Sequence, residues 1–463
     1  MSDVPWYIWL LLVSGGFSLF LAFIRIFLAS DLSLPDMQMD SCPPVGSDEF
    51  LETLALTVES DMVDGGTAEL LHNGDGFFPR FYEDVRAAKQ TVHVMTYIWS
   101  PGDCLTEALG VLTEKAREGV EVRVMADGFG GRHIPNELID AFKDAGGKFE
   151  WFAPLMSMHF INVNQRNHRR AFVIDGRIAY TGGVSFSDEW TGDGQDPEHW
   201  KDIMLRLTGP PVVTIQEFFI GVWTNVSGEL PFGEGLTPRT AETVEPAEAA
   251  IGPGDPDKQP TSGEQSDDEV SADSDGEQKT VFRHLGVGHA PSIHVHPLRQ
   301  LFWFSIRAAE KRIWINTAYF APDEFIRLVL REAAKAGRDV RLLTPSGTTD
   351  APFVRAYAHR YYDELMEAGV RVFEYQPTML HSKYVVVDSQ WVVTGSANLD
   401  VRSFQLNHEC MLAFLSPELA QEMEAVFEAD LENATEFDLE TWRQRGIKNR
   451  LLEKIVLPIW HQI

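Results

Sequence analysis

Two short patterns in this chain are suited to group transfer at phosphorus. His168, Arg170 and Asp175 stand at the spacing H-x-[K/R]-x4-D, and His381, Lys383 and Asp388 repeat it. Residues two apart in a strand point to one face, so each imidazole is expected beside its own cation. One imidazole can attack phosphorus to give a phosphohistidine while the other protonates the leaving alkoxide. Cations at positions 170 and 383 suit the equatorial oxygens, where transition-state charge accumulates. Asp175 and Asp388 precede Gly176 and Ser389 and read either as turn residues or as support for the site. A single such match is weak; two at equivalent points of an internal repeat are a strong signal.

The repeat extends well beyond these residues. Thr181-Gly182-Gly183-Val184-Ser185 aligns with Thr394-Gly395-Ser396-Ala397-Asn398. Both offer small side chains near which backbone can approach phosphate, with Ser185, Ser396 and Asn398 as polar support. Asp202 in KDIMLRL aligns with Glu409 in HECMLAF. A carboxylate there can orient the imidazole of its own half or of the opposite one, or simply make a cross-strand ion pair. Upstream, TVHVMTYIW from Thr91 has its counterpart in RIWINTAYF from Arg312, and each leads into a helix-period stripe. Leu105, Leu109, Leu112 and Ala116 form one stripe; Ile326, Val329, Leu330 and Ala333 form the other. Strands then alternate with helices in both copies, which predicts two α/β units packed as a pseudo-dimer.

Composition sets limits on what these units serve. The 463 residues carry a formal charge of -30, which repels a phosphate backbone and argues against nucleic acid as a partner. Cys42, Cys104 and Cys410 are too few and too scattered for a disulfide framework or a zinc knuckle and read as free thiols. Residues 6–29 run without a charge until Arg25, with Trp6, Tyr7 and Trp9 at one end. That length spans a bilayer core, and the absence of a basic leader favours an uncleaved anchor over a signal peptide. Residues 233–279 are rich in Glu, Asp, Pro, Gly and Ser; between Thr240 and Thr280 twelve acids face only Lys258 and Lys279. Such a segment reads as a disordered spacer. Residues 442–463 hold Arg443, Arg445, Lys448, Arg450 and Lys454 against Glu453 alone, with Ile447, Leu451, Leu452, Ile455 and Val456 at helical spacing. That is a basic amphipathic helix, either touching anionic lipid or docked on the catalytic unit.

At this point the chain resembles the phospholipase D superfamily and, within it, the bacterial cardiolipin synthases. The two H-x-[K/R]-x4-D patterns carry the first resemblance. The second rests on NHRR…VIDGRIAYTGG, YFAPDE from Tyr319, EYQPTMLHSK from Glu374 and GSANLDVRS from Gly395. The resemblance implies two tandem phospholipase D-like α/β sandwich units forming a pseudo-dimer, to which the apolar run 6–29 adds one N-terminal transmembrane helix. The expected division is an anchor over 1–30, a juxtamembrane linker over 31–63, a first half over 64–232, an acidic linker over 233–278, a second half over 279–440 and a basic tail over 441–463. The resemblance also implies condensation of two phosphatidylglycerols to cardiolipin and glycerol through a phosphatidyl-histidine, at a bacterial inner membrane, with no metal or cofactor. By the same resemblance His168 is the nucleophile and His381 the general acid. A hydrolytic phospholipase D would use the same residues with water as acceptor. A nuclease is disfavoured by charge and anchor, and a non-catalytic scaffold by the presence of both histidines. Three departures from the family pattern stand out: Arg170 where it has Lys, one apolar segment where two are usual, and a longer acidic linker.

Overall fold

The computed structural model describes residues 15–16, 41–154, 164–233, 235–236, 282–292 and 295–446. Apart from Gly15 and Gly16, the apolar run 6–29 lies outside them, as do most of the acidic linker and the tail beyond 446. No helix among the described residues is long and apolar enough to cross a membrane.

The internal repeat folds into two sheets with the same strand order. Across the first sheet run Thr67–His72, Ile203–Thr208, Ile178–Gly182, Ala171–Ile174, Thr91–Thr96, Glu121–Asp127 and Lys148–Phe152. Across the second run Arg283–His289, Asn407–Leu415, Trp391–Gly395, Tyr384–Val387, Arg312–Asn316, Asp339–Pro345 and Arg371–Tyr375, with Val63–Asp64 and Ala434–Glu436 added at the edges. In each, the last three shared strands are parallel and the remaining pairs antiparallel. The inner strands are apolar on both faces because both faces are covered. Val92 and Val94 point into one core with Leu105 and Leu112, while Met95 and Val173 point into a central layer.

That central layer joins the halves. It is filled from the first half by the helix Pro211–Ser227 and from the second by Pro417–Leu431. Equivalent pairs mark the pseudo-symmetry. His93 stacks on Phe219 with ring centroids 4.6 Å apart, and Trp314 stacks on Phe427 at 5.2 Å. Stacked rings in such a dry layer add to the apolar area they remove from water.

The region 31–63 corrects one expectation. Its described part is not a bare linker, since Asp48–Val58 is a helix capped by the Ser47 side chain, which accepts the Phe50 N–H at 3.2 Å. Phe50, Leu51, Leu54 and Val58 are buried in the second half's core. Phe50 stacks on Phe304 at 5.1 Å and meets the Trp391 ring edge-on at 5.2 Å. Val63 and Asp64 then pair antiparallel with His284 and Arg283. The chain thus braces the second half before it starts the first, turning at Gly65 and Gly66 with φ of +89° and +107°, a region that glycine enters without a Cβ clash.

Three histidines buried in this scaffold make it acid-sensitive. Burial pushes His93 down to about 3 and His284 and His289 down to about 4. An unfolded chain protonates the same groups near pH 6.5. Below that pH the unfolded state therefore binds more protons, so stability is full above pH 6.5 and falls as pH drops toward 4. Urea midpoints should fall between pH 7.5 and pH 5, with the decline already begun at pH 6.5, where the unfolded imidazoles are half-protonated; equal midpoints throughout would contradict this origin of acid sensitivity.

Candidate functional site

The seam between the halves is where the two motifs meet. Just before the first motif, Arg166–Asn167 pairs parallel with Asn407 and His408 of the second half; before the second, Leu380 bridges Lys201 of the first half in the same sense. The His168 N–H donates to the His408 carbonyl at 2.9 Å, and the His381 N–H donates to the Lys201 carbonyl at 2.7 Å. Each histidine therefore hangs from the opposite half. The next residue on each supporting strand is the carboxylate: Glu409 follows His408, and Asp202 follows Lys201.

Side-chain contacts complete the exchange. His168 Nδ1 lies 3.0 Å from Glu409 Oε2, and His381 Nδ1 lies 2.7 Å from Asp202 Oδ2. Both carboxylates are fully buried and held by further donors. Ser396 Oγ, Ser403 Oγ and Asn407 Nδ2 donate to Glu409 at 2.5, 2.9 and 3.2 Å; Trp190 Nε1 donates to Asp202 at 2.9 Å. A carboxylate on Nδ1 fixes the proton there and leaves the Nε2 lone pair available. Of the sequence alternatives for Asp202 and Glu409, the orienting role across the halves is the one realised.

The cations sit behind the imidazoles. Lys383 Nζ is 3.0 and 3.2 Å from the two ring nitrogens of His381 and also contacts its carbonyl. Arg170 Nη1 donates to the His168 carbonyl at 2.6 Å, while its Nε and Nη2 are buried with no partner among the described residues. Equivalent threonines fix both backbones: Thr181 Oγ1 donates to the Arg170 carbonyl at 2.9 Å and Thr394 Oγ1 to the Lys383 carbonyl at 3.0 Å. Burial and the adjacent cations push His168 down to about 4 and His381 to about 3. Burial also pushes Lys383 down to about 7. Burial works against ionisation of Glu409 and Asp202 too, but the imidazoles, hydrogen bonds and cations outweigh it and hold both below the usual carboxylate range. With these neighbours the imidazoles are unprotonated at neutral pH, as a nucleophile needs.

Both histidines open onto one cavity of about 420 Å³. Aromatic rings wall them: Tyr97 meets His168 edge-on at 5.2 Å, while Trp190 and Trp200 lie 5.1 and 5.3 Å from His381. Arg132, Arg166 and Arg402 also line the cavity, giving it positive charge on an otherwise acidic protein.

Not every expected residue reaches this cavity. Asn398 lines it and Ser396 orients Glu409, but Ser185 turns away, with its hydroxyl 2.9 Å from that of Thr96. Gly183 stands where the second half has Ser396, and a Cβ there would lie 2.2 Å from Asp202 Oδ1, so the first half leaves room for its carboxylate instead of donating to it. Asp175 and Asp388 need a correction, because neither lines the cavity nor bonds an imidazole. Each sits at a hairpin with φ near +51° or +52°. Asp175 accepts the backbone N–H groups of Lys89, Gln90 and Thr91 at 2.8, 2.7 and 2.9 Å. Asp388 accepts those of Glu310, Lys311 and Arg312 at 2.7, 2.8 and 2.8 Å. They fasten the hairpin to the strand beside it. Asp175→Ala should destabilise the fold by about 1–3 kcal/mol through the three orphaned N–H groups, while the folded fraction keeps its turnover within about threefold. Denaturant titration beside active-site-normalised kinetics checks this, and a specific loss of turnover would return Asp175 to the chemistry.

Several site residues carry no role in the sequence reading. Arg402, Ser403 and Tyr319 lie inside motifs quoted above, GSANLDVRS and YFAPDE, but nothing in their types fixes what they do. Trp190, Trp200 and Asn407 have no local signal, since only the seam brings them in.

A family model described as "Cardiolipin synthase, PLD-like domain" matches residues 82–215 and 304–431, one segment in each half. Cardiolipin synthase 1 of Bacillus cereus is 30% identical over 394 residues, covering 85% of this chain and 72% of the relative. Cardiolipin synthase A of Pseudomonas fluorescens is 33% identical over 394 residues, covering 84% and 74%. Among solved structures, phosphatidylserine synthase of Haemophilus influenzae superposes with a TM-score of 0.64 over 90% of this chain and 100% of that one, at 14% identity. That likeness speaks for the fold.

Proposed function

Because the chain belongs to the cardiolipin synthase family of phospholipase D-like proteins, we propose that it transfers a phosphatidyl group from one phosphatidylglycerol to the headgroup hydroxyl of another, giving cardiolipin and glycerol. The observation that carries this reading is the pair of imidazoles at one cavity, each held by a buried carboxylate of the opposite half. His168 Nε2 attacks phosphorus and the bond from phosphorus to the headgroup oxygen breaks. The leaving alkoxide takes a proton from His381 Nε2, and glycerol departs from phosphatidyl-His168. A second phosphatidylglycerol gives its hydroxyl proton to His381 and its oxygen attacks phosphorus. The phosphorus–nitrogen bond breaks, freeing cardiolipin and His168.

His381 has to be protonated for the first step, and the charges explain how. Burial depresses its basicity first and the Lys383 cation second. An arriving phosphodiester anion offsets the Lys383 and Arg170 charges, so the proton enters with the substrate. Arg170 has two unpartnered nitrogens, Nε and Nη2, to turn toward phosphate oxygens, a role for which a guanidinium fork is suited.

The lipid side of the proposal draws on the termini. A single-pass anchor over residues 6–29 holds the enzyme at a bacterial inner membrane, where its substrate is concentrated. The basic tail begins docked: Trp442 is buried, Arg443 pairs with Asp363 and Glu367 at 3.1 and 3.2 Å, and Arg445 lies 3.8 Å from Asp363. Lys448, Arg450 and Lys454 are then the residues for anionic lipid. Purified protein in detergent–phosphatidylglycerol micelles should yield cardiolipin with released glycerol by chromatography and mass spectrometry. Phosphatidic acid alone would make the enzyme a hydrolase and overturn the proposal.

A further inference from the structure

A cavity that takes an anionic lipid has no evident use for carboxylates, yet two line this one: Asp400, which caps the helix Val401–Gln405 by accepting the Ser403 N–H, and Asp350. The Tyr319 O–H donates to its two carboxylate oxygens at 2.8 and 2.9 Å. No lysine or arginine among the described residues forms an ion pair with it. The Tyr319 ring meets His381 edge-on at 6.4 Å, so Asp350 is tied to the side of the cavity where leaving and incoming alcohols exchange protons. Asp350 is itself exposed; the desolvation its carboxyl does meet raises it, and the Tyr319 hydrogen bond and the Lys383 charge oppose that rise.

A second observation points the same way. Asn398 lines the same cavity, is 3% exposed, and its amide oxygen has no partner among the described residues. The cavity therefore holds two kinds of group. Arg132, Arg166 and Arg402 supply donors for a phosphate, while Asp350 and Asn398 supply acceptors that a phosphodiester cannot satisfy. The ligand must bring hydrogen-bond donors of its own beside the phosphate. A glycerol headgroup does so through adjacent hydroxyls; a choline headgroup does not. A carboxylate can accept two neighbouring O–H groups through its remaining lone pairs, and a poorer alcohol that leaves the buried Asn398 oxygen unfilled is penalised.

We propose that Asp350, steadied by Tyr319, is the residue that selects a vicinal diol as the phosphatidyl acceptor, so that the phosphatidyl-enzyme is passed to glycerol-type hydroxyls in preference to simple alcohols. This rests on the phosphatidyl-transfer reading and extends it to the acceptor.

The test separates the two. A phosphatidyl donor with a p-nitrophenol leaving group forms the phosphatidyl-enzyme without any diol, and the full-length protein in detergent micelles then partitions it between glycerol and 1-propanol at equal concentration. Wild-type protein should favour glycerol at least tenfold. Asp350→Ala should bring that ratio down at least tenfold while p-nitrophenolate release stays within about threefold. Tyr319→Phe should give an intermediate ratio, because it loosens the carboxylate without removing it. An unchanged ratio in Asp350→Ala, or a release rate that falls in step with the ratio, overturns the selection role and leaves phosphatidyl transfer standing. A wild-type preference for ethanolamine over glycerol also overturns it, since the carboxylate would then be an ammonium site. Wild-type protein that neither releases p-nitrophenolate nor forms a phosphatidyl product overturns both readings.

Discussion

His168→Ala should lower cardiolipin formation by about ten-thousand-fold, and His381→Ala by about a hundred- to ten-thousand-fold, and the two variants should differ in what they accumulate. With a donor whose leaving group needs no proton, His381→Ala still forms phosphatidyl-His168. It cannot deprotonate the acceptor, so the adduct persists and a peptide containing position 168 carries the added mass. His168→Ala forms no adduct with any donor. The difference tests the roles directly: an adduct on His381 in the His168→Ala protein would reverse them. The family resemblance and its own surroundings both favour His168 as the nucleophile. It is unprotonated at neutral pH and backed by a guanidinium that stays charged. His381 lies against Lys383, whose amine is pushed down to about 7 and exchanges protons near neutrality.

Much of this architecture is legible in the amino-acid sequence, and the exceptions have physical causes. The helix stripes at Leu105 to Ala116 and Ile326 to Ala333 and the matched strands require only local periodicity and form as expected, whereas the motif residues 168–170 and 381–383, expected on strands, lie just before the strands Ala171–Ile174 and Tyr384–Val387. Glu409 and Asp202 are visible as candidates, but the half each one serves depends on the seam pairing of Asn407 with Arg166 and of Lys201 with Leu380. That pairing joins segments far apart in sequence. Asp175 and Asp388 mislead for a related reason. Their fixed distance from the histidines is the length of a strand plus its turn, so the spacing records a hairpin rather than a shared site. The helix Asp48–Val58 has its signal in plain view, with a Ser47 cap and Phe50, Leu51, Leu54 and Val58 on one face. Its position hides it, between an apolar run and the first repeat, where a linker is the natural expectation.

The exchange of carboxylates between halves makes a prediction that an arrangement within each half could not share. Glu409→Gln should cost about a hundred- to ten-thousand-fold in turnover, because it removes the charge that steadies a phosphorylated, positively charged His168. Asp202→Asn should cost a similar factor on phosphatidylglycerol but much less with a p-nitrophenol donor in the first step, where no proton is needed from His381. Couplings then follow the contacts. Adding Glu409→Gln to His168→Ala should change little, since the partner it serves is already gone, whereas adding it to His381→Ala should multiply the losses. Asp202→Asn should behave in the mirror sense. Both cycles are read from residual rates with the activated donor, in which the first step and the transfer step are measured separately. Coupling of Glu409 to His381, or of Asp202 to His168, would contradict the cross-half geometry. The observed distances of 3.0 and 2.7 Å place each coupling on one imidazole. Neither half has a complete set of groups alone, so the duplicated fold works only as a pair: each repeat supplies its histidine to the cavity and its carboxylate to the other's histidine.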